Sequence, residues 1–145
     1  MTYSIKEVAA RTPFSIYTLR YYDKQGLLPF VSRDATGYRA FTDADLQLLH
    51  TIQCLKNTGM TIADIRQYVN YVMAGTSSIP QRQALLKRHR EAVLAKRNLI
   101  DQSLKEIDFK LALYGNPQAV ELVTLEQAAA KAQKRDNHLA DPFTN

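Results

Sequence analysis

Between Pro80 and Gly115 the chain contains neither glycine nor proline, and one apolar position recurs through this stretch every seven residues. The series is Ile79, Leu86, Val93, Ile100, Ile107 and Tyr114, and Leu104 and Leu111 add a second seam position in the last heptads. Earlier, that second position falls on Gln83, Arg90 and Arg97, so the seam is strongest toward its end. A seven-residue apolar period keeps one stripe on one face of a supercoiling helix. A helix over 80–115 extends roughly 52 Å at the α-helical rise. The segment before residue 74 is too small to cover such a stripe, so the pattern predicts pairing with a second copy of the chain. An intrachain amphipathic helix is the alternative that the pattern leaves open.

The first half of the chain reads as a set of short, well-punctuated helices. Ser4-Ile5-Lys6-Glu7, Thr42-Asp43-Ala44-Asp45 and Thr61-Ile62-Ala63-Asp64 each place a hydroxyl at an N-cap and an acid three residues on. The hydroxyl accepts from free N–H groups of the first turn, and the acid reaches back or favours the positive helix end. Ser15 is a fourth cap. Helices are predicted over 5–11, 16–25, 43–57 and 62–73. Between the second and third lies "FVSRDATGYRAF", in which aromatic and β-branched residues flank the turn composition Asp34-Ala35-Thr36-Gly37. This predicts a two-stranded hairpin, with Arg39 and Phe41 on one face of its second arm and Tyr38 and Ala40 on the other. The fold class expected is all-α with a small β-hairpin. Its parts are a head over 1–73, a linker over 74–79, the long helix over 80–115 and a tail over 116–145. In the tail, 118–134 is helix-prone and the last ten residues are expected to be unstructured.

The chain of 145 residues carries a net charge of +5 and a sequence pI near 9.4, a balance that favours polyanions. No apolar run approaches the roughly 18 residues of a membrane span. "MTYSIKEVAA" puts an acid where a secretory leader needs its apolar stretch, so a cytosolic protein is expected, with no membrane partner. One cysteine excludes an internal disulfide. The three histidines have no ligand spacing with one another, and neither a metal nor any other cofactor is expected.

Two short helices with a tight "TPF" break at 12–14 precede the hairpin. The second, "SIYTLRYYDKQGLL", clusters Tyr17, Arg20, Tyr21, Tyr22 and Lys24 and stops at Gly26. A helix that merely packs shows one apolar face and a solvated remainder. Arginine bridges phosphate or guanine, and tyrosine pairs a hydroxyl with an apolar ring against the sugar backbone. A helix–turn–helix followed by a basic wing is the pattern of a nucleic-acid-binding head.

Leu19-Arg20-Tyr21-Tyr22, Gly26-Leu27-Leu28, Gly37-Tyr38-Arg39 and Gly59-Met60, in register over residues 3–73, resemble the MerR family of bacterial transcription regulators. The resemblance implies a winged helix–turn–helix head and an antiparallel coiled-coil homodimer through residues 80–115. It further implies a regulator on promoter DNA, working with RNA polymerase at the same promoter by bending and untwisting the duplex. By matching position, Thr18, Arg20 and Tyr21 should face DNA from the recognition helix, and Arg33, Tyr38 and Arg39 from the wing. Where members commonly have glycine in the turn, this chain has Pro13, which predicts a local change in turn geometry.

Relatives that sense metals carry paired cysteines near the end of the long helix, and residues 101–145 contain none. Relatives that bind drugs carry a large C-terminal domain, whereas the segment after Gly115 is too short to enclose a pocket of several hundred Å³. Attention passes to Cys54 in "TIQCLKNTG". On an ideal helix it lies about 80° from Leu46, off the arc of Leu48, Leu49, Ile52 and Leu55. His50, one turn earlier, and Lys56 are near enough to stabilise a thiolate. A small, inert thiol filling a gap remains the alternative. "IQCLKNTGMTI" is similar to the aldehyde- and thiol-stress subgroup of the family, and this resemblance implies Cys54 as the sensing residue. Rival readings are a same-fold regulator of a non-covalent ligand with Cys54 inert, and a basic coiled-coil scaffold. No acid–base pair or phosphate-cradling loop supports an enzyme.

Overall fold

The computed structural model describes residues 1–143. Among them the order is α1 (Ile5–Arg11), α2 (Ile16–Lys24), β1 (Ser32–Arg33), β2 (Arg39–Ala40), α3 (Asp43–Asn57) and α4 (Ile62–Met73). A 3-10 turn (Thr76–Ser78), α5 (Ile79–Gly115) and α6 (Ala119–Asp136) complete the fold. The four early helices begin at the predicted caps. Ser4 and Thr42 close full capping boxes with Glu7 and Asp45, and Ser15 and Thr61 each accept from the backbone N–H three residues on. Helix α2 ends at Lys24, one residue short of the prediction, where Gly26 takes a positive φ of 76°. A side chain there would be strained, so glycine sets the helix stop.

The chain divides into two compact units, Met1–Ala95 and the part from Lys96 onward. The first is organised by one apolar cluster. Val8 of α1, Leu19 and Tyr22 of α2, Leu49 and Ile52 of α3, and Ile65 and Val69 of α4 are all buried in it, with Leu27, Leu28, Val31 and Phe41 from the intervening segment. Burying each such aliphatic or aromatic side chain contributes about 1.5–3 kcal/mol, so these contacts dominate the stability of the unit. The amino-terminal segment joins the hairpin. Tyr3 and Phe41 exchange backbone hydrogen bonds of 2.7 and 2.9 Å, and the Tyr3 hydroxyl donates to Asp43 at 2.9 Å.

The first unit continues through Ala95, because Leu85 is buried in the head cluster and Leu86 packs against it. The segment expected to be a linker is a tied corner. Ser78 is buried, and its hydroxyl reaches the carbonyls of Tyr71 and Gly75, the latter at 2.7 Å. Arg82 donates from Nε to Ser78 Oγ at 3.0 Å, and from Nη2 to the carbonyls of Gly75 at 2.8 Å and Val72 at 3.3 Å. Arg82 thus adds a charged donor to carbonyls at and just beyond the end of α4, and a cation suits that end of the dipole. Helix α5 accordingly starts at Ile79, with Pro80 in its first turn, where a missing N–H costs nothing.

In the second unit, Ile100, Leu104, Ile107, Leu111 and Tyr114 are about half exposed or more, so the heptad stripe is uncovered there. Lys110 and Glu126 form an exposed ion pair at 3.4 Å, an interaction of small energy. Helix α6 occupies the predicted helix-prone segment. Of the last ten residues, expected to be unstructured, those up to 143 have defined positions. His138 takes a positive φ of 57°, the Leu139 N–H donates to the Lys134 carbonyl at 2.8 Å, and Lys131 pairs with Asp141 at 3.8 Å. Residues 144 and 145 lie outside the described residues. No described helix is long and apolar enough to cross a membrane.

Replacing Arg82 with alanine removes three donations into the corner and should cost about 1–3 kcal/mol. Replacing the exposed Lys87 should stay within about 0.5 kcal/mol. Urea unfolding of the two variants beside the parent protein checks this, and equal midpoints for Arg82→Ala and the parent would remove the corner from the account.

Candidate nucleic-acid interface

The break between α1 and α2 is built on negative φ. Thr12 is extended, at φ −129°, and its hydroxyl donates to the Val8 carbonyl at 2.8 Å and accepts from the Phe14 N–H at 3.3 Å. Proline, with its fixed negative φ, is compatible with a turn entered from extended Thr12. Phe14 then turns inward and meets the Tyr22 ring edge-on at 5.6 Å, fixing how α2 leaves the turn.

Helix α2 divides its tyrosines by position. Tyr22 is buried, and burial pushes its phenol above the ordinary value. Tyr17 is 81% exposed and Tyr21 42%, with Arg20 and Lys24 exposed on the same helix. Thr18 is half-buried, and its hydroxyl oxygen accepts from Ser15 at 2.9 Å, leaving its own hydrogen to donate outward. Tyr17 is more exposed than either Thr18 or Tyr21 and belongs to this surface. Matching by family position passed over it, although it stands in the cluster read from the residues.

The hairpin is built around one carboxylate. Asp34 Oδ1 accepts from the Thr36 hydroxyl at 2.6 Å and from the N–H groups of Thr36 and Tyr38 at 2.9 and 3.0 Å. The Thr36 hydroxyl, then the Tyr38 N–H, hold this carboxyl below the ordinary carboxylate range. Gly37, at φ 87°, closes the turn. Ser32 pairs with Ala40 and Arg33 with Arg39, and Arg33 Nη1 donates to the Gly37 carbonyl at 2.8 Å from an exposed position. Tyr38 is exposed.

Arg39, expected against DNA, has its guanidinium engaged within the protein. Its Nη2 and Nε reach the two carboxylate oxygens of Asp23 at 2.5 and 3.2 Å, and its Nη1 donates to the Val31 carbonyl. Both partners of the pair are roughly three-quarters covered. The guanidinium thus fastens the wing to α2. Arg66 does similar work from α4, donating to the Gln25 carbonyl at 2.6 Å and to the Gln25 side chain at 3.3 Å. The structure therefore leaves Arg20, Tyr21, Arg33 and Tyr38 exposed and Thr18 half-buried on one unit, while Arg39 is largely covered by its contacts with Asp23 and Val31.

Cys54 is exposed on α3, off the buried face of Leu49, Ile52 and Leu55, as the helical angles predicted. Its sulfur lies 3.7 Å from His50 Nε2. Lys56 is exposed one turn-half further on. Among the described residues no group of three or more His, Cys, Asp or Glu side chains converges as a metal site.

Lysine cannot reproduce the planar, three-nitrogen donation of Arg39. In Arg39→Lys, amide exchange at Asp34 and Tyr38 should quicken roughly tenfold while that of α3 stays unchanged, each factor of ten being about 1.4 kcal/mol. Hydrogen–deuterium exchange reads both, and unchanged exchange in the hairpin would show that the wing stands without this fastening.

Residues 3–72 match the model of the MerR HTH family regulatory proteins, and residues 46–109 match that described as MerR, DNA binding. An uncharacterized HTH-type transcriptional regulator of Haemophilus influenzae is 41% identical over 120 residues, spanning 83% of this chain and 89% of the relative. Among solved structures, HiNmlR, described as a MerR family regulator lacking the sensor domain and bound to promoter DNA, is 40% identical with a TM-score of 0.76, over 83% of this chain and 96% of that one. A MerR-family transcriptional regulator from Bacillus thuringiensis is 42% identical with a TM-score of 0.72, over 77% of this chain and 98% of that one. Capped helices, wing and recognition surface thus coincide with a shared sequence over most of the chain, which is not an enzyme but a member of the MerR family of DNA-binding transcriptional regulators.

Proposed function

We propose that the chain acts in the cytoplasm as a homodimer, paired through residues 80–115 in an antiparallel coiled coil, and that it activates a promoter by distorting its DNA. The observation that carries the reading is the exposed set Tyr17, Arg20, Tyr21 and Lys24 on α2 beside exposed Arg33 and Tyr38 on the wing. Such a set supplies phosphate and sugar contacts that fix register, with Thr18 free to donate. Arg39 positions the wing in this reading and does not itself touch DNA. Distortion of the duplex brings promoter elements into phase for RNA polymerase, so the signal acts through deformation energy while the protein stays bound. The uncovered stripe of Ile100, Leu104, Ile107 and Leu111 supports the dimer.

Cys54 is the sensor of electrophile stress in this proposal. Its exposed thiol and the imidazole of His50 at 3.7 Å support it. His50 accepts the thiol proton, the thiolate sulfur bonds to an aldehyde carbon, and the resulting oxyanion takes a proton to give a neutral hemithioacetal. A second reading is favoured by a cleft of about 250 Å³ lined by Met60, Asp64, Leu85, Arg88 and His89. There a non-covalent ligand would give the signal and Cys54 would be inert.

Sedimentation should give the parent protein twice its 16.5 kDa chain mass, and the double change Ile100→Asp with Ile107→Asp should halve it. A monomeric parent would end the coiled-coil proposal. Run-off transcription from the chain's own upstream promoter tests the sensor. Methylglyoxal should raise transcript with the parent protein and leave Cys54→Ser flat, whereas equal induction of both would move the signal to the cleft.

A further inference from the structure

Thr58 closes α3 and at the same time touches α5. Its hydroxyl oxygen lies 2.7 Å from the Cys54 carbonyl, 3.2 Å from the Leu55 carbonyl and 2.7 Å from His89 Nε2. A threonine hydroxyl has one hydrogen and two lone pairs. The hydroxyl either gives that hydrogen to an α3 carbonyl and accepts from the imidazole, or gives it to the imidazole, according to the tautomer of the ring. In both cases one oxygen joins His89 Nε2 to the carbonyl of Cys54. Thirty-one residues separate the two side chains.

Beyond the polar corner that Arg82 makes with the end of α4, the contact of α5 with the head is of a different kind. Leu85 is buried in the apolar cluster and Leu86 lies against it. Apolar contact is non-directional and tolerates small slides. A hydrogen bond weakens steeply with misalignment. The Thr58–His89 bond is therefore the part of this seam that reports a small displacement of the last turn of α3.

We propose that His89 is a positioning residue that couples the state of the Cys54 turn to α5, with Thr58 as the bridge. The proposal rests on the reading of Cys54 as the sensor and names how its signal leaves α3. Substitution at Sγ displaces the 3.7 Å contact with His50 and shifts the turn that carries the Cys54 carbonyl. Thr58 follows its acceptor, and His89 follows or loses Thr58. Helix α5 is continuous from Ile79 to Gly115, so a change in how His89 seats it acts on the helix that also bears the heptad stripe.

The test reads His89 directly. In the intact protein labelled with ¹⁵N-histidine, alkylation of Cys54 with iodoacetamide should shift the His89 Nε2 resonance. In Thr58→Val, which keeps the shape and removes the hydroxyl, the same alkylation should leave it in place. No shift in the parent protein, or an equal shift in Thr58→Val, overturns the coupling. Transcription supplies the second readout. His89→Gln keeps an N–H donor at nearly the same reach and should retain induction by methylglyoxal. His89→Leu should lose at least fivefold of it while still binding the promoter and still gaining the Cys54 adduct by mass. Induction of His89→Leu at the parent level also overturns the proposal. If methylglyoxal induces nothing, yet alkylation shifts His89 through Thr58, the coupling stands and only the sensor assignment of Cys54 falls.

Discussion

The structure depends on a corner in which one arginine answers the carbonyls at the end of α4. Any helix that stops leaves acceptors without donors, and a following helix can be held at a defined angle only if something satisfies them in place. Arg82 adds donors to this end from the first turns of α5, together with the buried hydroxyl of Ser78 and the backbone N–H groups of the turn. The arrangement makes the start of α5 part of the head. Everything that the long helix is proposed to do, pairing with a second copy and carrying a signal, presupposes that its first turns are fixed to the DNA-binding elements.

The same logic of fixing by directed contacts runs through the head. Arg39 fastens the wing to α2 through Asp23, and Arg66 fastens α4 to the end of α2 through Gln25. Each joins elements distant in sequence by a charge-assisted bond laid over an apolar cluster. Apolar burial supplies most of the energy, and the arginines supply the angle. A surface that must meet a duplex in one register gains from such bonds, since phosphate contacts are only as well placed as the elements that carry them.

The local features were legible because they are local. A hydroxyl before a helix and an acid three residues on make their bonds within one turn, so Ser4, Thr42, Ser15 and Thr61 could be read as caps from the residues alone. The heptad stripe and the place of Cys54 off the buried face of α3 follow from helical periodicity in the same way. The corner was not legible, because Gly, Thr and Ser between helices have the composition of a linker, and only the depth of Ser78 shows otherwise. Arg39 is more instructive. Strand alternation had already put it on the face of Phe41, which is the buried face, but its charge and family position drew it toward DNA. The Thr58–His89 contact spans 31 residues, and no periodicity or motif connects the two.

The carboxylate at the centre of the wing has a consequence for the direction from which a duplex can arrive. Asp34 is exposed, and the donors around it keep it ionised throughout the physiological range. The tip of the hairpin thus carries a fixed negative charge beside the exposed Arg33. In the proposed mode of binding, a phosphate approaching end-on is repelled, while one approaching the flank meets Arg33 and the ring of Tyr38. In that mode the wing therefore meets the duplex along its edge, and the acid that folds its turn holds its point off the backbone.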